Sequence, residues 1–444
     1  MRSKGPPPGM SFRWLGLLIV AALTLAPMPA VAIQMVISGP GSQLFPIAIS
    51  QLKDVEGDDS HQASTDFTST LSRNLDLSGF FRIVNPEANI EDPQNSGYQF
   101  GTFNFADWSS VNAEFLVKGA VSIKGNDATI EAFLYDVPRQ QQLTGKRYTG
   151  QVNELPRMAR RFADEIMLAT TGTRGPFDSP IACASTGGGR FKEIYTRSLD
   201  GRELSRVTDN STINLFPSLD RGARQLLYVS YKSGGPALYL ADLSARRERE
   251  IRMTEGRLIG GALSPNGSRI AAALERGGAT NLYLLDSSGN VIRALTSGDS
   301  INVSPSFSPD GQSISFTSDQ SGSPQIYVTS VGGGRARRIT YQGNYNTDPA
   351  FSPKGDKIAY QTRHGGAFDL CVIPASGGDP TQLTDGGSNT NPTWSPDERY
   401  LLFSSTRAGR TRLYLMLVES GKIISPITEG KGDDTGPSWS WWAN

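Results

Sequence analysis

A period of about 44 residues running through the second half of the chain constrains its fold more than any other feature. The phrase Pro-Ser-Phe-Ser-Pro-Asp-Gly at 305–311 returns in weaker forms, with an aromatic or Leu anchor at Leu219, Leu263, Phe307, Phe351, Trp394 and Trp439. The intervals are 44, 44, 44, 43 and 45 residues. An apolar residue followed by Thr keeps the same phase, at Thr208, Thr254, Thr296, Thr340, Thr384 and Thr428. Two independent markers with one period define a structural repeat, and one of this length is a solenoid unit or a propeller blade. Inside the repeat, Ile314 and Phe316 alternate with serines, Ile326-Tyr327-Val328 and Arg338-Ile339-Thr340 follow, and Gly- or Pro-bearing turns separate these runs. That pattern reads as four short strands. No helical period appears in 176–444. Four-stranded units repeated radially make a β-propeller, which leaves only short, protected sheet edges.

The ends of the array set the blade count. Residues 181–208 supply the later strands of a repeat without its anchor strand, and 436–440 supply an anchor with nothing after it. Joined, they complete a sixth blade from one C-terminal and three N-terminal strands. A linear solenoid has no need of such complementary ends.

The first half is organised differently. Residues 1–32 carry a basic start (Arg2, Lys4, Arg13), an apolar run from Leu15 to Leu25 and small residues at Ala30-Val31-Ala32, the pattern of a cleaved signal peptide. The remaining 412 residues carry 40 Lys+Arg and 43 Asp+Glu and have no second long apolar run, so a soluble protein across the inner membrane of a bacterium is expected. Residues 33–43 form a short segment of their own, and 44–172 read as a small α/β domain. Within it, strands are expected at 46–49 and 80–84, a helix at 65–77 with Phe67, Leu71 and Leu75 on one face, a hairpin of 114–123 with 129–137, and a helix capped by Asn153 that buries Leu155, Met158, Phe162 and Ile166. After a linker, 176–444 holds the propeller. The expected class is therefore mainly β, a six-bladed propeller of four-stranded blades preceded by a small α/β domain.

Composition narrows function. Lys+Arg and Asp+Glu are 43 each, so no basic excess exists to hold nucleic-acid phosphates. Two His cannot build a three-His metal site, and no Gly-x-Ser-x-Gly elbow is present. Cys183 and Cys371 lie in different repeats and read as buried free thiols despite the oxidising compartment. The Asp residues of the repeat turns suit turn chemistry. Neither cofactor nor metal is expected, and no spacing resembles a Ca²⁺ loop.

The leader, the α/β domain and the Ser-Pro-Asp-Gly repeats, together with Leu71-Ser-Arg-Asn-Leu75, Ser78-Gly79-Phe80-Phe81 and Ala113-Glu-Phe-Leu-Val117-Lys118-Gly119, resemble the TolB family of the periplasmic Tol–Pal system. The resemblance implies a non-enzymatic, periplasmic protein, monomeric and peripheral to membranes through its partners. Those are the lipoprotein Pal, bound by the propeller, and TolA, bound by the first residues after the leader. Outer-membrane lipoproteins or porins are further candidates. The implied role is outer-membrane integrity and constriction during cell division. Two rival readings are a propeller that binds a peptide or glycan and a polysaccharide-degrading enzyme with a carboxylate pair.

The residues themselves point to a face. Crossings from the outer strand of one blade to the inner strand of the next ring one mouth of a propeller channel. They give Arg257, Leu258, Ile259, Gly260, Asn302, Val303, Tyr345, Asn346, Asp348, Asn389, Asn391, Asp433 and Asp434 as candidates, about half of them explicable as backbone-capping turns. Hairpins opening on the same face add Arg363, His364 and Arg407. Apolar residues beside arginines are what an interface core prefers, and the resemblance makes this the Pal site. The second candidate is Ile33-Gln34-Met35-Val36-Ile37-Ser38, an extended segment able to add to another protein's sheet edge. The resemblance assigns it to TolA.

Overall fold

The computed structural model describes residue 1 and residues 44–55, 61–88, 91–253, 256–442. The expected signal peptide and the segment Ile33–Ser38 lie outside the described residues.

The first domain is a mixed sheet with two helices on one face. Strands β1 (Phe45–Ile49), β2 (Lys53–Asp54), β3 (Phe81–Ile83), β4 (Phe115–Lys124), β5 (Asp127–Asp136) and β6 (Gln141–Gln151) run in the order β3-β1-β4-β5-β6, with β2 beside β4. β1 is parallel to β3 and β4, whereas β4, β5 and β6 form an antiparallel meander. Helices α1 (His61–Leu77) and α3 (Leu155–Thr171) pack together, burying Phe67, Leu71 and Leu75 against Leu155, Met158, Phe162 and Ile166. The i, i+4 spacing of those residues is the reason one apolar stripe suffices. The other face of the sheet is covered by α2 (Phe105–Ser110) and the loop before it, where Trp108, Tyr135 and Leu116 are buried.

One local expectation is corrected, and two elements were not read from the sequence. Asn153 does not cap α3; it lies in a 3₁₀ turn, and the helix begins with Glu154 as the preceding residue and Pro156 in its first turn. Proline is favoured there because the first-turn N–H groups have no intrahelical partner. Strand β6 is an eleven-residue edge strand whose mostly exposed pattern hides it from period-2 reading. Helix α2 is too short to show a period, although Asn104 caps it by accepting the Ala106 amide at 3.1 Å.

The second half is a six-bladed propeller. Five blades are continuous in sequence, and the sixth joins Asp434–Trp439 to Ile181–Ser185, Glu193–Arg197 and Leu204–Arg206. The repeated words each perform a local task. In 308–313, the Asp310 carboxylate accepts the Gln312 amide at 3.0 Å, and the Ser308 hydroxyl accepts the Ser313 amide at 2.9 Å while donating to Asp310. Gly311 takes the left-handed turn position at φ 67°. The same Ser–Asp device closes 395–400. The hydroxyl before the anchor joins blades: Ser218 accepts the Leu263 amide at 3.0 Å, and Ser438 accepts that of Leu219 at 3.0 Å.

The Thr marker rivets blades at the opposite end. Thr340 accepts the Ile326 amide at 2.9 Å and donates to Gln325 at 2.7 Å, while Asn346 of the next blade donates to the same Gln325 oxygen at 2.9 Å. Thr208–Glu193–Asn214, Thr296–Asn281–Asn302 and Thr384–Asp369–Asn389 repeat the arrangement. The buried backbone amides of Ile194, Leu282, Ile326 and Leu370 are thereby satisfied by a Thr hydroxyl.

The two domains share one apolar cluster that runs from Phe67 and Phe162 to Tyr400, Leu413 and Trp439. Tyr400 donates to the Ser78 carbonyl at 2.8 Å, Arg399 to the Thr171 carbonyl at 3.5 Å and Trp442 to the Gly175 carbonyl of the linker at 2.7 Å. Every one of these contacts is made by blade five, blade six or the C-terminal residues, at the end of the propeller that carries the Ser-Pro-Asp-Gly turns. Cys183 and Cys371 are buried free thiols.

Candidate functional site

Each innermost strand starts at the blade crossing and descends along the channel, so its first residues decide what the mouth presents. In five blades this strand bulges, which shifts its register against the second strand. The bulge places Phe216, Ser304, Asp348, Asn391 and Gly436 in the left-handed region, at φ 53°, 51°, 50°, 52° and 58°. A bulge in an innermost strand re-aims a side chain that would otherwise follow the pleat. Holding an aromatic residue such as Phe216 there costs on the order of 1–2 kcal/mol, which the surrounding ring must supply. In the remaining blade the irregularity falls between Leu258 and Gly260.

The candidate residues separate into three groups. Leu258, Asn302, Asn346, Asn389 and Asp434 are buried at the start of their strands and are not exposed to a partner. Three of them are the blade rivets described above, and Leu258 fills the equivalent position with apolar packing. These positions are corrected from mouth residues to structural ones: an Asn that must satisfy a neighbouring blade cannot also face solvent.

Ile259, Gly260, Val303, Asp348 and Asn391 line the channel, whose cavity is about 540 Å³. Asp348 accepts from Ser304 and, at 3.2 Å, from the Asn391 amide. Burial pushes its carboxyl above the ordinary carboxylate range, and the Ser304 hydroxyl offsets this only in part. The polar ring Ser304–Asp348–Asn391 is thus tied together across three blades.

Arg257, Tyr345, Arg363 and His364 are exposed on the rim. Arg257 pairs with Glu275, the Arg363 guanidinium lies 5.9 Å from the Tyr345 ring, and His364 is 3.7 Å from Asp369. Asp433 is half-buried and accepts the Thr411 amide at 3.0 Å. Arg407 is half-buried, donating to Asn389 at 2.8 Å and lying over Tyr414 at 5.1 Å. Burial pulls its pKa down. Its role is to brace the Asn389 crossing.

Sequence reasoning placed the crossings 213–216 and 301–304 at this mouth without singling out Ile213, Phe216 or Ile301, and it missed Phe191 and Tyr231. Phe191, Ile213, Phe216, Tyr231 and Ile301 are exposed large apolar side chains, and all lie on crossings, on second-to-third-strand loops or on the bulge. Phe216 is 51% exposed at the channel mouth. Phe191, Ile213, Phe216 and Tyr231 all belong to blades six and one or the crossing between them. The available signal was phase: Phe216 occupies the position held by Ser304, Asp348, Asn391 and Gly436 in other repeats. A large apolar residue where the repeat otherwise places small or polar ones is an exception to the blade's own needs. Among the described residues, no group of three or more His, Cys, Asp or Glu could hold a metal ion, and no helix is long and apolar enough to cross a membrane.

Comparison with known proteins agrees with this architecture. A family model described as the TolB beta propeller domain matches residues 168–443, and one described as the TolB amino-terminal domain matches 33–143. The Tol-Pal system protein TolB of Desulfosudis oleivorans is 38% identical over 239 residues, 54% of each chain. That of Roseobacter denitrificans is 32% identical over 207 residues, 46% of each. The chain thus spans about half the length of the curated relatives it matches. The crystal structure of TolB from Acinetobacter baumannii superposes with a TM-score of 0.76 at 24% identity, covering 92% of this chain and 99% of that one, a likeness of fold.

Proposed function

The chain belongs to the TolB family, and from that premise we propose that it is a non-enzymatic, periplasmic binding component of the Tol–Pal system. The proposed partner of the loop face of the propeller is Pal. One observation carries this reading: Phe191, Ile213, Phe216, Tyr231, Ile301 and Tyr345 are all exposed on that face. Scattered surface hydrophobics are ordinary, but several on one face around a channel mouth fit a protein interface. Aromatic residues dominate interface energetics, and the exposed Arg363 guanidinium beside Tyr345 offers a cation to an acidic group of the partner. The polar channel ring would receive whatever the partner projects into the mouth. The segment Ile33–Ser38 is the proposed TolA site, acting by strand addition. Outer-membrane integrity and constriction at division follow as the proposed physiological role.

Calorimetric titration of residues 33–444 with the Pal domain of the same genome tests the reading. Saturable binding that weakens at least tenfold in Ile213→Asp/Phe216→Asp supports it. Binding unchanged by that pair and by Arg257→Ala/Val303→Asp places Pal elsewhere. Deleting 33–43 should abolish TolA binding and leave Pal binding measurable.

A further inference from the structure

The opposite face of the propeller is covered on blades five and six by the first domain, while on blade one Trp441 packs on Arg221 and the outer strands of blades one to three lie away from the first domain. Along those outer strands, charge is out of balance although the whole chain has 43 residues of each sign. Arg246 and Arg247 of blade one and Arg335 of blade three are exposed. Among the described residues, none of the three makes a side-chain hydrogen bond or ion pair. Arg249, Arg293 and Arg337 repeat at intervals of 44 residues on the outer strands. Each donates to a carbonyl in a turn of the next blade: Arg249 to Ser287, Arg293 to Gly332, and Arg337 to Ser376 at 2.8 Å and Ala375 at 2.9 Å. These guanidiniums are pinned in place, one per blade, with N–H groups to spare. A pinned Arg fork loses less freedom on binding than a free side chain.

The neighbouring carboxylates do not neutralise them directly. Asp242 accepts the amides of Ser244 and Ala245, and Asp286 those of Ser288 and Asn290. Glu248 and Glu250 turn to the other side, onto Lys232 and Tyr239. Beside Arg293, Val291 and Ile292 are 51% and 48% exposed on the same outer strand. The outer strands Arg247–Ile251 and Val291–Ala294 each pair on one side only, so their other edge presents free backbone groups.

We propose that this rim binds an extended, acidic segment of a protein partner. The segment would lie along the open edge of the outer strands, with carboxylates in the arginine forks and an aliphatic side chain against Val291 and Ile292. An open strand edge favours a polypeptide over a lipid surface, because only a polypeptide offers main-chain groups to pair with it.

The test uses residues 33–444 and a fluorescein-labelled peptide of alternating Glu and Val, about ten residues long to match a strand pair. Fluorescence anisotropy should rise to saturation at low salt and fall as salt is added. Arg246→Glu/Arg247→Glu/Arg335→Glu should weaken binding at least tenfold while leaving the melting temperature and Pal titration unchanged, since these side chains support no contact in the fold. Arg335→Glu alone should weaken it about threefold and stands in if the triple variant misfolds. Equal affinity for wild type and variants, or no binding at low salt, overturns the proposal. Sedimentation with phosphatidylglycerol vesicles without peptide binding also overturns it and assigns the rim to a membrane surface.

Discussion

The domain junction offers the sharpest energetic test. Arg160 of α3 is buried, with its guanidinium 3.6 Å from Asp200 of blade six and in contact with Glu203. Asp200 also accepts from Asn74 at 2.8 Å, from Ser198 and from the Arg202 amide at 3.0 Å. Burial alone would push Asp200 up, but Arg160, the Ser198 hydroxyl and Asn74 outweigh it and hold the carboxyl below its ordinary value. Arg160→Leu leaves that carboxylate buried without its cation. Removing one partner of a buried pair costs about 3–5 kcal/mol. Three remaining hydrogen bonds favour the lower end, about 3 kcal/mol. Arg160→Leu/Asp200→Asn should recover about 2 kcal/mol of this, because no buried charge is stranded. The sign with pH follows from linkage. In the wild type the depressed carboxyl contributes stability above its ordinary pKa of about 3.9, lost as pH falls through that value and below. In Arg160→Leu the carboxyl is raised instead, so its penalty is largest near neutral pH and shrinks on acidification. Urea unfolding of the two single variants and the double variant, at pH near 7.5 and near 4.5, measures both effects. Additivity within about 0.5 kcal/mol, or a loss equal at the two pH values, refutes the argument.

Further outcomes follow from single sites. Thr340→Val leaves the Ile326 amide without its acceptor at the blade rivet and should cost about 1–3 kcal/mol in urea unfolding; an unchanged midpoint would show that the rivet is dispensable. Burial pushes Asp397 up to about 6. Because the folded value is the higher, its contribution is greatest below the ordinary carboxylate value and is lost as pH rises to about 6, by about 3 kcal/mol. Asp397→Asn should therefore be the more stable form near pH 7.5 and flatten that slope, as urea midpoints across pH would register. Burial also pushes the thiols of Cys183 and Cys371 up to about 12 and about 11. Both should resist a thiol reagent near pH 8 in the folded protein and react at once in denaturant; rapid labelling of the native form would contradict their burial.

How far each feature could be read depends on the range of the interactions behind it. The six-bladed ring was legible because its signals are local: Ser308, Asp310 and Gly311 close a turn within a few residues, and Thr208, Thr296, Thr340, Thr384 and Thr428 each follow the outer strand of a blade. The hairpin of β4 with β5 and the stripe of α1 were legible for the same reason, since period and turn chemistry operate within a few residues. Strand β6 was not, because an edge strand exposed on most of its length needs no apolar alternation. The mouth was read only in part. Asn302, Asn346 and Asn389 look identical in sequence to binding residues, and only the neighbouring blade, supplying Asn281, Gln325 and Asp369, shows them to be rivets.

What the sequence alone determined is therefore the repeat, its closure and the turns that shape each blade. Tertiary structure alone decided which side chains face water. Asn346 is buried while Tyr345 beside it is exposed, because the packing of blade four on blade three brings Gln325 against the one and leaves the other on the rim. Phe216 stands at the mouth because a bulge turns its backbone to φ 53°, and the imbalance of arginines emerges only when residues 44 apart are stacked on one rim. Exposure is a property of the assembled ring, fixed by contacts between residues far apart in the chain, and no local pattern carries it.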